Sequence, residues 1–168
     1  MNGDIQVESA PNKGTKITVT VYLKLQENEK EQEKELLDLP VLVVDDDKTC
    51  CESTVATLQE IGIAGEWVLT GKEAVERCAA RHKTGRDYFA VILDWKMPEM
   101  DGIATARRIR ECVGEEVTII ILTSFDFSEI EEEARAVGVN AFMAKPLFRS
   151  RLTATLRQFT SGKKEKNA

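Results

Sequence analysis

Histidine is nearly absent from this chain. It has one, His82, beside four cysteines, Cys50, Cys51, Cys78 and Cys112. No two cysteines stand as C-x-x-C, so a zinc-ligand set is excluded and the thiols read as reduced, mostly packing residues of a cytoplasmic protein. Positive charge is in deficit, 23 Lys and Arg against 29 Asp and Glu, and a net charge of −6 argues against a general nucleic-acid binder. No apolar run approaches the length of a membrane span. No basic segment with an apolar core follows Met1–Asp4, so a signal peptide is not expected. A hydrophobic content of 42% over 168 residues is enough for a real core and for one domain with some extra sequence.

Residues 26–38, "QENEKEQEKELLD", are almost all charged or amide and read as a linker, either solvated helix or coil. Behind it two kinds of segment alternate. "VLVV" (41–44), "FAVIL" (89–93) and "VTIIIL" (117–122) are short, rich in β-branched residues and apolar throughout, as strands buried on both faces are. "AGEWVL" (64–69) and "NAFMA" (140–144) are weaker strand candidates. Between them apolar residues recur at helical spacing: Cys51, Val55 and Leu58; Ala74 and Cys78 with Val75 and Ala79; Ile103, Ala106 and Ile109; Ile130, Ala134 and Val137; Leu152, Leu156 and Phe159. Strand and helix repeated five times predict an α/β fold, a five-stranded parallel sheet covered on both faces with right-handed crossovers. In front, residues 2–25 alternate apolar and polar residues around "APNKG" and predict a β-hairpin, with Ile5 and Val7 before the turn and Ile17, Val19 and Val21 after it.

A doubly wound sheet places its site beyond the carboxyl ends of its strands. Asp45 and Asp46 follow the first strand, Asp94 the third, Thr123 and Ser124 the fourth, and Lys145 the fifth. Singly these residues have ordinary readings. Asp47 in "VLVVDDDKTC" is a natural helix N-cap, Asp94 could open a polar turn, Thr123 could end a strand, and Lys145 could be a solvated charge before Pro146. Together they bring three carboxylates, a hydroxyl and an ammonium to one sheet edge. Carboxylates at close range repel, and one keeps its proton unless a cation sits among them. Mg²⁺, a hard ion that prefers oxygen, suits the set. Such a carboxylate is a suitable phosphoryl acceptor, forming aspartyl phosphate, with the metal and the lysine offsetting charge on the equatorial oxygens.

"VLVVDDD", "VILDWKMPEMDG", "IILTSFD" and "AFMAKPL", in this order, resemble the receiver domain of two-component response regulators over about residues 39–160. The resemblance implies a flavodoxin-like sheet of order 2-1-3-4-5 with five helices. It implies Asp94 as phosphoacceptor, and Asp45, Asp46, Asp94 and the backbone carbonyl of Lys96 as Mg²⁺ ligands. It makes Thr123 the switch hydroxyl, Phe142 the switch aromatic where tyrosine is common, and Lys145 the phosphate-pairing lysine, before a cis bond to Pro146. Trp95, directly after Asp94, should sit over the site. Phe125 and Phe127 read as partner-binding aromatics, and the fourth helix, fifth strand and fifth helix as the signalling face; a homodimer could form through that face or through the N-terminal hairpin.

The hairpin resembles the last strands of the ATP-binding domain of histidine kinases, with Asn12-Lys13-Gly14-Thr15 in place of a Gly-x-Gly-Thr box. The nucleotide-binding motifs of that domain are absent, so this stub binds no ATP by itself. The order kinase tail (1–25), linker (26–38), receiver (39–162) and basic tail (163–168) resembles the C-terminal part of a hybrid sensor histidine kinase, a parent that could itself be membrane-bound. With only the short basic tail "SGKKEKNA" after residue 160, direct transcriptional output is not expected of this chain. His82, in "ERCAARHKTGR", reads as a solvated helix-end residue, so the phosphodonor is expected on a histidine-kinase phosphotransfer domain or a histidine phosphotransfer protein. An aspartate-nucleophile phosphatase would want a second aspartate where Lys96 stands, and a non-phosphorylated interaction domain would not need the intact acid set. The chain is thus expected to be a phosphoacceptor module rather than a turnover enzyme.

Overall fold

The structure, a computed structural model, describes residues 2–11, 14–22, 36–124, 128 and 130–166, with side chains for residues 4–11, 14–22, 36–124, 128 and 130–160. The chain divides into two compact units, residues 1–31 and 32–168. The first holds an antiparallel hairpin, β1 (Asn2–Ala10) and β2 (Gly14–Tyr22). Ile5 faces Val19 and Val7 faces Ile17, so period-2 alternation collects the aliphatic side chains on one face of the ribbon. That face is 52–67% exposed within the unit.

The second unit is a five-stranded parallel sheet of order β4-β3-β5-β6-β7. Its strands are β3 (Pro40–Val44), β4 (Ala64–Val68), β5 (Ala90–Asp94), β6 (Thr118–Thr123) and β7 (Ala141–Ala144). Numbered within the unit this is the expected order 2-1-3-4-5. Helices α1 (Lys48–Glu60), α2 (Gly71–Lys83), α3 (Gly102–Val113), α4 (Glu131–Ala136) and α5 (Arg149–Lys166) connect and follow the strands. Alternate strand residues feed two cores. Leu42, Val44, Val91, Leu93, Ile119 and Ile121 pack with Ala74, Cys78, Ile103, Ala106, Ile109 and Ala134 on one face. Val41, Val43, Ile92, Ile120 and Leu122 pack with Cys51, Val55, Leu58, Leu152 and Leu156 on the other. Burial on both faces is why these strands are continuous apolar runs. Among the described residues no helix is long and apolar enough to cross a membrane.

Four details depart from the sequence reading. Asp94 and Thr123 are the last residues of their strands rather than the first beyond them, because Asp94 is still in register with Leu122 and Thr123 with Ala144. Only Cys51 and Cys78 pack; Cys50 is half-buried and Cys112 exposed. Leu36, in the stretch read as linker, is fully buried among Val41, Leu58 and Ile63. Asp38 turns the chain there with φ 59° and donates its N–H to the Gly62 carbonyl at 3.0 Å, so packing onto the core of the second unit already includes Leu36. Leu36→Ala should therefore destabilise the second unit by about 2–4 kcal/mol, the range of buried Leu→Ala changes. Urea unfolding followed by far-ultraviolet circular dichroism checks this, and a loss under 0.5 kcal/mol would return Leu36 to the linker. Residues 26–35 of that stretch and the pair Phe125 and Phe127 lie outside the described residues. The final helix continues to Lys166, past the expected boundary at 162.

Candidate functional site

Each candidate is delivered to the carboxyl edge by an apolar strand whose side chains leave it one direction to point. Asp45 ends the β3 run at 3% exposure, and its Oδ1 accepts the Asp47 N–H at 2.9 Å. Asp47 in turn caps α1, accepting from the Thr49 and Cys50 N–H groups at 2.8 and 3.4 Å, and these bonds hold its carboxyl below the usual range. The third acid of the triplet is therefore structural. Asp46, between them, is exposed.

Asp94 is supported from below by a tight return of the chain. Asp101 caps α3 by accepting from the Ala104 N–H at 2.8 Å, and Gly102 donates its N–H to the Trp95 carbonyl at 2.8 Å. A Cβ at Gly102 would meet the Asp94 carbonyl at 2.5 Å, so only glycine lets α3 start this close to the acid. Lys145 is placed by its own backbone, whose N–H donates to the Thr123 carbonyl at 2.8 Å, and by a cis Lys145–Pro146 bond that turns the chain into α5.

The ammonium of Lys145 lies 2.6 Å from Asp45 Oδ2 and 2.8 Å from Asp94 Oδ1. Carboxylate oxygens of Asp45, Asp46 and Asp94 all lie within 4.8 Å of one another. Burial pushes the Asp94 carboxyl above its usual range; the hydrogen bond and charge of Lys145 oppose this, and Asp45 and Asp46 add to it. For Lys145 burial works against the charged form, but its bonds to the two carboxylates win and hold the ammonium well above the ordinary lysine range. The result is a buried acid that is a stronger base than a free aspartate, beside a lysine that stays charged.

A small cleft of about 70 Å³, lined by Asp94, Trp95, Lys96, Thr123, Ser124 and Lys145, opens beside the acid. Trp95 thus borders the site as expected. Phe142 does not line the cleft. It is half-buried against the core, with the Arg135 guanidinium 5.7 Å from its ring centroid. A second cavity of about 520 Å³ runs beside α1, between Cys50, Thr54 and Thr57 and the Pro146–Leu147 turn, and reaches Lys145. The sequence reading missed this groove. Its signal was the uncharged stripe Cys50, Thr54 and Thr57 at helical spacing. His82 is exposed near the end of α2, as expected, and its Nδ1 pairs with Asp87 Oδ1 at 3.0 Å.

Three close acids, two of them bridged by the half-buried Lys145, with a strand-end hydroxyl and a small cleft beside them, define a phosphoryl-accepting site on a doubly wound sheet. The chain matches the response regulator receiver domain over residues 41–157 and belongs to that family. It is 30% identical over 166 residues to hybrid signal transduction histidine kinase L of Dictyostelium discoideum, covering 94% of this chain and 10% of the kinase. It is 29% identical over 131 residues to the osmosensing histidine protein kinase SLN1 of Saccharomyces cerevisiae, covering 77% of this chain and 11% of that protein. The chain therefore spans about a tenth of the length of these relatives. The receiver domain of the histidine kinase CKI1 from Arabidopsis thaliana, complexed with Mg²⁺ and BeF₃⁻, superposes with a TM-score of 0.68 at 28% identity, over 78% of this chain and 95% of that one.

Proposed function

We propose that this receiver domain takes a phosphoryl group from phosphohistidine onto Asp94 and is a module of a hybrid histidine kinase. The observation that carries the reading is the Lys145 ammonium bridging Asp45 and Asp94 with Asp46 alongside. In the step itself an Asp94 carboxylate oxygen bonds to phosphorus while the P–N bond of the donor breaks, and the imidazole leaves with the electron pair. Burial raises the basicity of Asp94, and Lys145 keeps it ionised and pairs with a phosphoryl oxygen. Thr123, 1% exposed at the strand end, offers a hydroxyl to another oxygen. Phe142, packed under Arg135, is the aromatic that would respond on the face of α4, β7 and α5. The donor, a kinase phosphotransfer domain or a histidine phosphotransfer protein, fits the groove along α1, lined mostly by uncharged residues between Asp47 and Lys145.

Three mutually close carboxylate oxygens form a hard, anionic donor set of the kind Mg²⁺ takes. Asp45, Asp46, Asp94 and the Lys96 carbonyl would hold it. Bound there, the ion would offset the charge of the acids and of the phosphoryl oxygens. The alignment with kinase L reaches into the hairpin, since it covers 94% of this chain. That supports reading residues 1–25 as the end of a kinase ATP-binding domain, residues 26–38 as the linker and 163–168 as a basic tail. The exposed aliphatic face of the ribbon would then pack on the remainder of that domain.

Incubation with Mg²⁺ and acetyl phosphate tests the reading. A stable mass gain on Asp94 is expected; rapid turnover would favour a phosphatase, and no reaction an interaction domain. Mg²⁺ titration should quench Trp95, which borders the cleft, with a millimolar-range midpoint. Asp46→Ala should weaken that binding roughly tenfold or more, the effect of removing one anionic ligand from a small set. Unchanged fluorescence with no heat of binding in calorimetry would remove the metal assignment.

A further inference from the structure

Asp45 is the deepest acid of the site, and each polar group it carries is held. Its Oδ2 takes the Lys145 ammonium at 2.6 Å, its Oδ1 accepts the Asp47 N–H at 2.9 Å, and its own N–H donates to the Val68 carbonyl at 3.4 Å. Its carbonyl accepts from the Cys51 thiol, with Sγ at 3.3 Å. The same Sγ stands 3.7 Å from the Val68 carbonyl, so one S–H lies where the ends of β3 and β4 meet the first turn of α1. Cys51 is fully buried, and its N–H donates to the Asp47 carbonyl at 3.0 Å as the helix begins. Cys50, the next residue back, lines the α1 groove instead.

The Asp45 carbonyl and the Asp46 N–H belong to one rigid peptide plane, so whatever fixes the carbonyl fixes the direction in which the chain presents Asp46. Asp46 lies beyond Val44, the last residue of β3, and is exposed, so the sheet does not orient it as it orients Asp94. We infer that Cys51 is a positioning residue of the metal site: its S–H holds the Asp45–Asp46 peptide so that the Asp46 carboxylate stays beside those of Asp45 and Asp94. This rests on the reading that these three acids hold Mg²⁺. Without the thiol, the Asp45 carbonyl loses a donor in a buried place, and the peptide can turn to find another. Asp46 then spends part of its time away from the other two acids, and the affinity for the ion falls with the competent fraction. A thiol is a weak donor, so the loss belongs at the low end of a hydrogen bond's net worth, roughly three- to fivefold in affinity.

The test is Mg²⁺ affinity of the full chain, by calorimetry and by Trp95 quenching, in Cys51→Ala, Cys51→Ser and Cys51→Val. Alanine and serine leave similar space in the core, so both should lower stability, but only serine keeps a donor facing the carbonyl. Cys51→Ala should weaken Mg²⁺ binding roughly three- to fivefold, and Cys51→Ser should bind as wild type does. Cys51→Val fills the space without a donor and should bind like Cys51→Ala, which keeps the test open if the alanine variant does not fold. Labelling from acetyl phosphate should slow in the two donorless variants at subsaturating Mg²⁺ and regain the wild-type rate at saturation, a split that a packing defect would not give. Equal Mg²⁺ affinity in wild type, Cys51→Ala and Cys51→Val, with only stability changed, would overturn the inference, as would a serine variant that binds as weakly as the alanine one. No Mg²⁺ binding by the wild-type protein would instead overturn the metal reading beneath it.

Discussion

Lys145→Ala is expected to lose about 3 kcal/mol of stability at pH 7.5 without divalent ions, a fall in Tm of about 10 °C for a domain of this size. The lysine is the one cation paired with Asp45 and Asp94 among the described residues, and both acids are at least nine-tenths buried. Removing one partner of such a pair leaves charge buried without compensation, which costs about 3–5 kcal/mol; the lower end applies because the Lys145 side chain is 23% exposed. The loss has a sign with pH. Burial already raises the Asp94 carboxyl and Lys145 opposes it, so in the variant the carboxyl rises further. A group whose folded pKa is raised contributes stability that is complete below its unfolded value and is lost as pH rises through the folded one. The variant should therefore approach wild type near pH 4 and fall furthest behind above neutrality. Millimolar Mg²⁺ should recover part of the deficit, because it binds the folded acid cluster and not the unfolded chain. Urea titrations at pH 4.5 and 7.5, with and without Mg²⁺, measure all of this. A deficit equal at both pH values and insensitive to Mg²⁺ would mean that Lys145 acts by packing alone.

Most of this site was legible because a parallel sheet converts strand order into position. Once "VLVV", "FAVIL" and "VTIIIL" are read as doubly buried strands, Asp45, Asp94 and Thr123 must come to the same edge, and Lys145 follows from the fifth strand. The part that was not legible depends on where chain segments return. Leu36 looks like linker because its neighbours are charged, yet one leucine can be drawn into a core by a turn at Asp38 that no periodicity announces. The groove beside α1 is formed by the Pro146–Leu147 turn meeting an uncharged helix face, a meeting fixed by tertiary packing and not by either segment. The Lys96 ammonium over Trp95 is likewise a rotamer choice, invisible in two adjacent letters. The Asp47 cap was readable since its rule is local.

Asp94→Asn should abolish labelling from a phosphodonor while leaving the fold more stable. The amide keeps the shape of the carboxyl but cannot act as the nucleophile. No neighbour can replace it. Asp45 is 3% exposed and committed to Lys145 and to the Asp47 N–H, and Asp46 is exposed and does not line the cleft. Stability should rise because Asp94 is ionised against its own burial, with Asp45 and Asp46 opposing it; that is the usual strain of a working acid cluster. Removing it leaves Lys145 fully paired with Asp45, and a gain of about 0.5–2 kcal/mol is expected in Mg²⁺-free buffer. The gain should fade as pH falls through the folded pKa of Asp94, since the protonated acid and the amide are then alike. In Mg²⁺ it should shrink or reverse, because the variant offers one anionic ligand fewer. The two readouts come from one preparation: labelling by intact mass, and unfolding by urea with and without Mg²⁺. A label on the variant that survives acid and hydroxylamine would place the acceptor on a hydroxyl or histidine and remove Asp94 from that role.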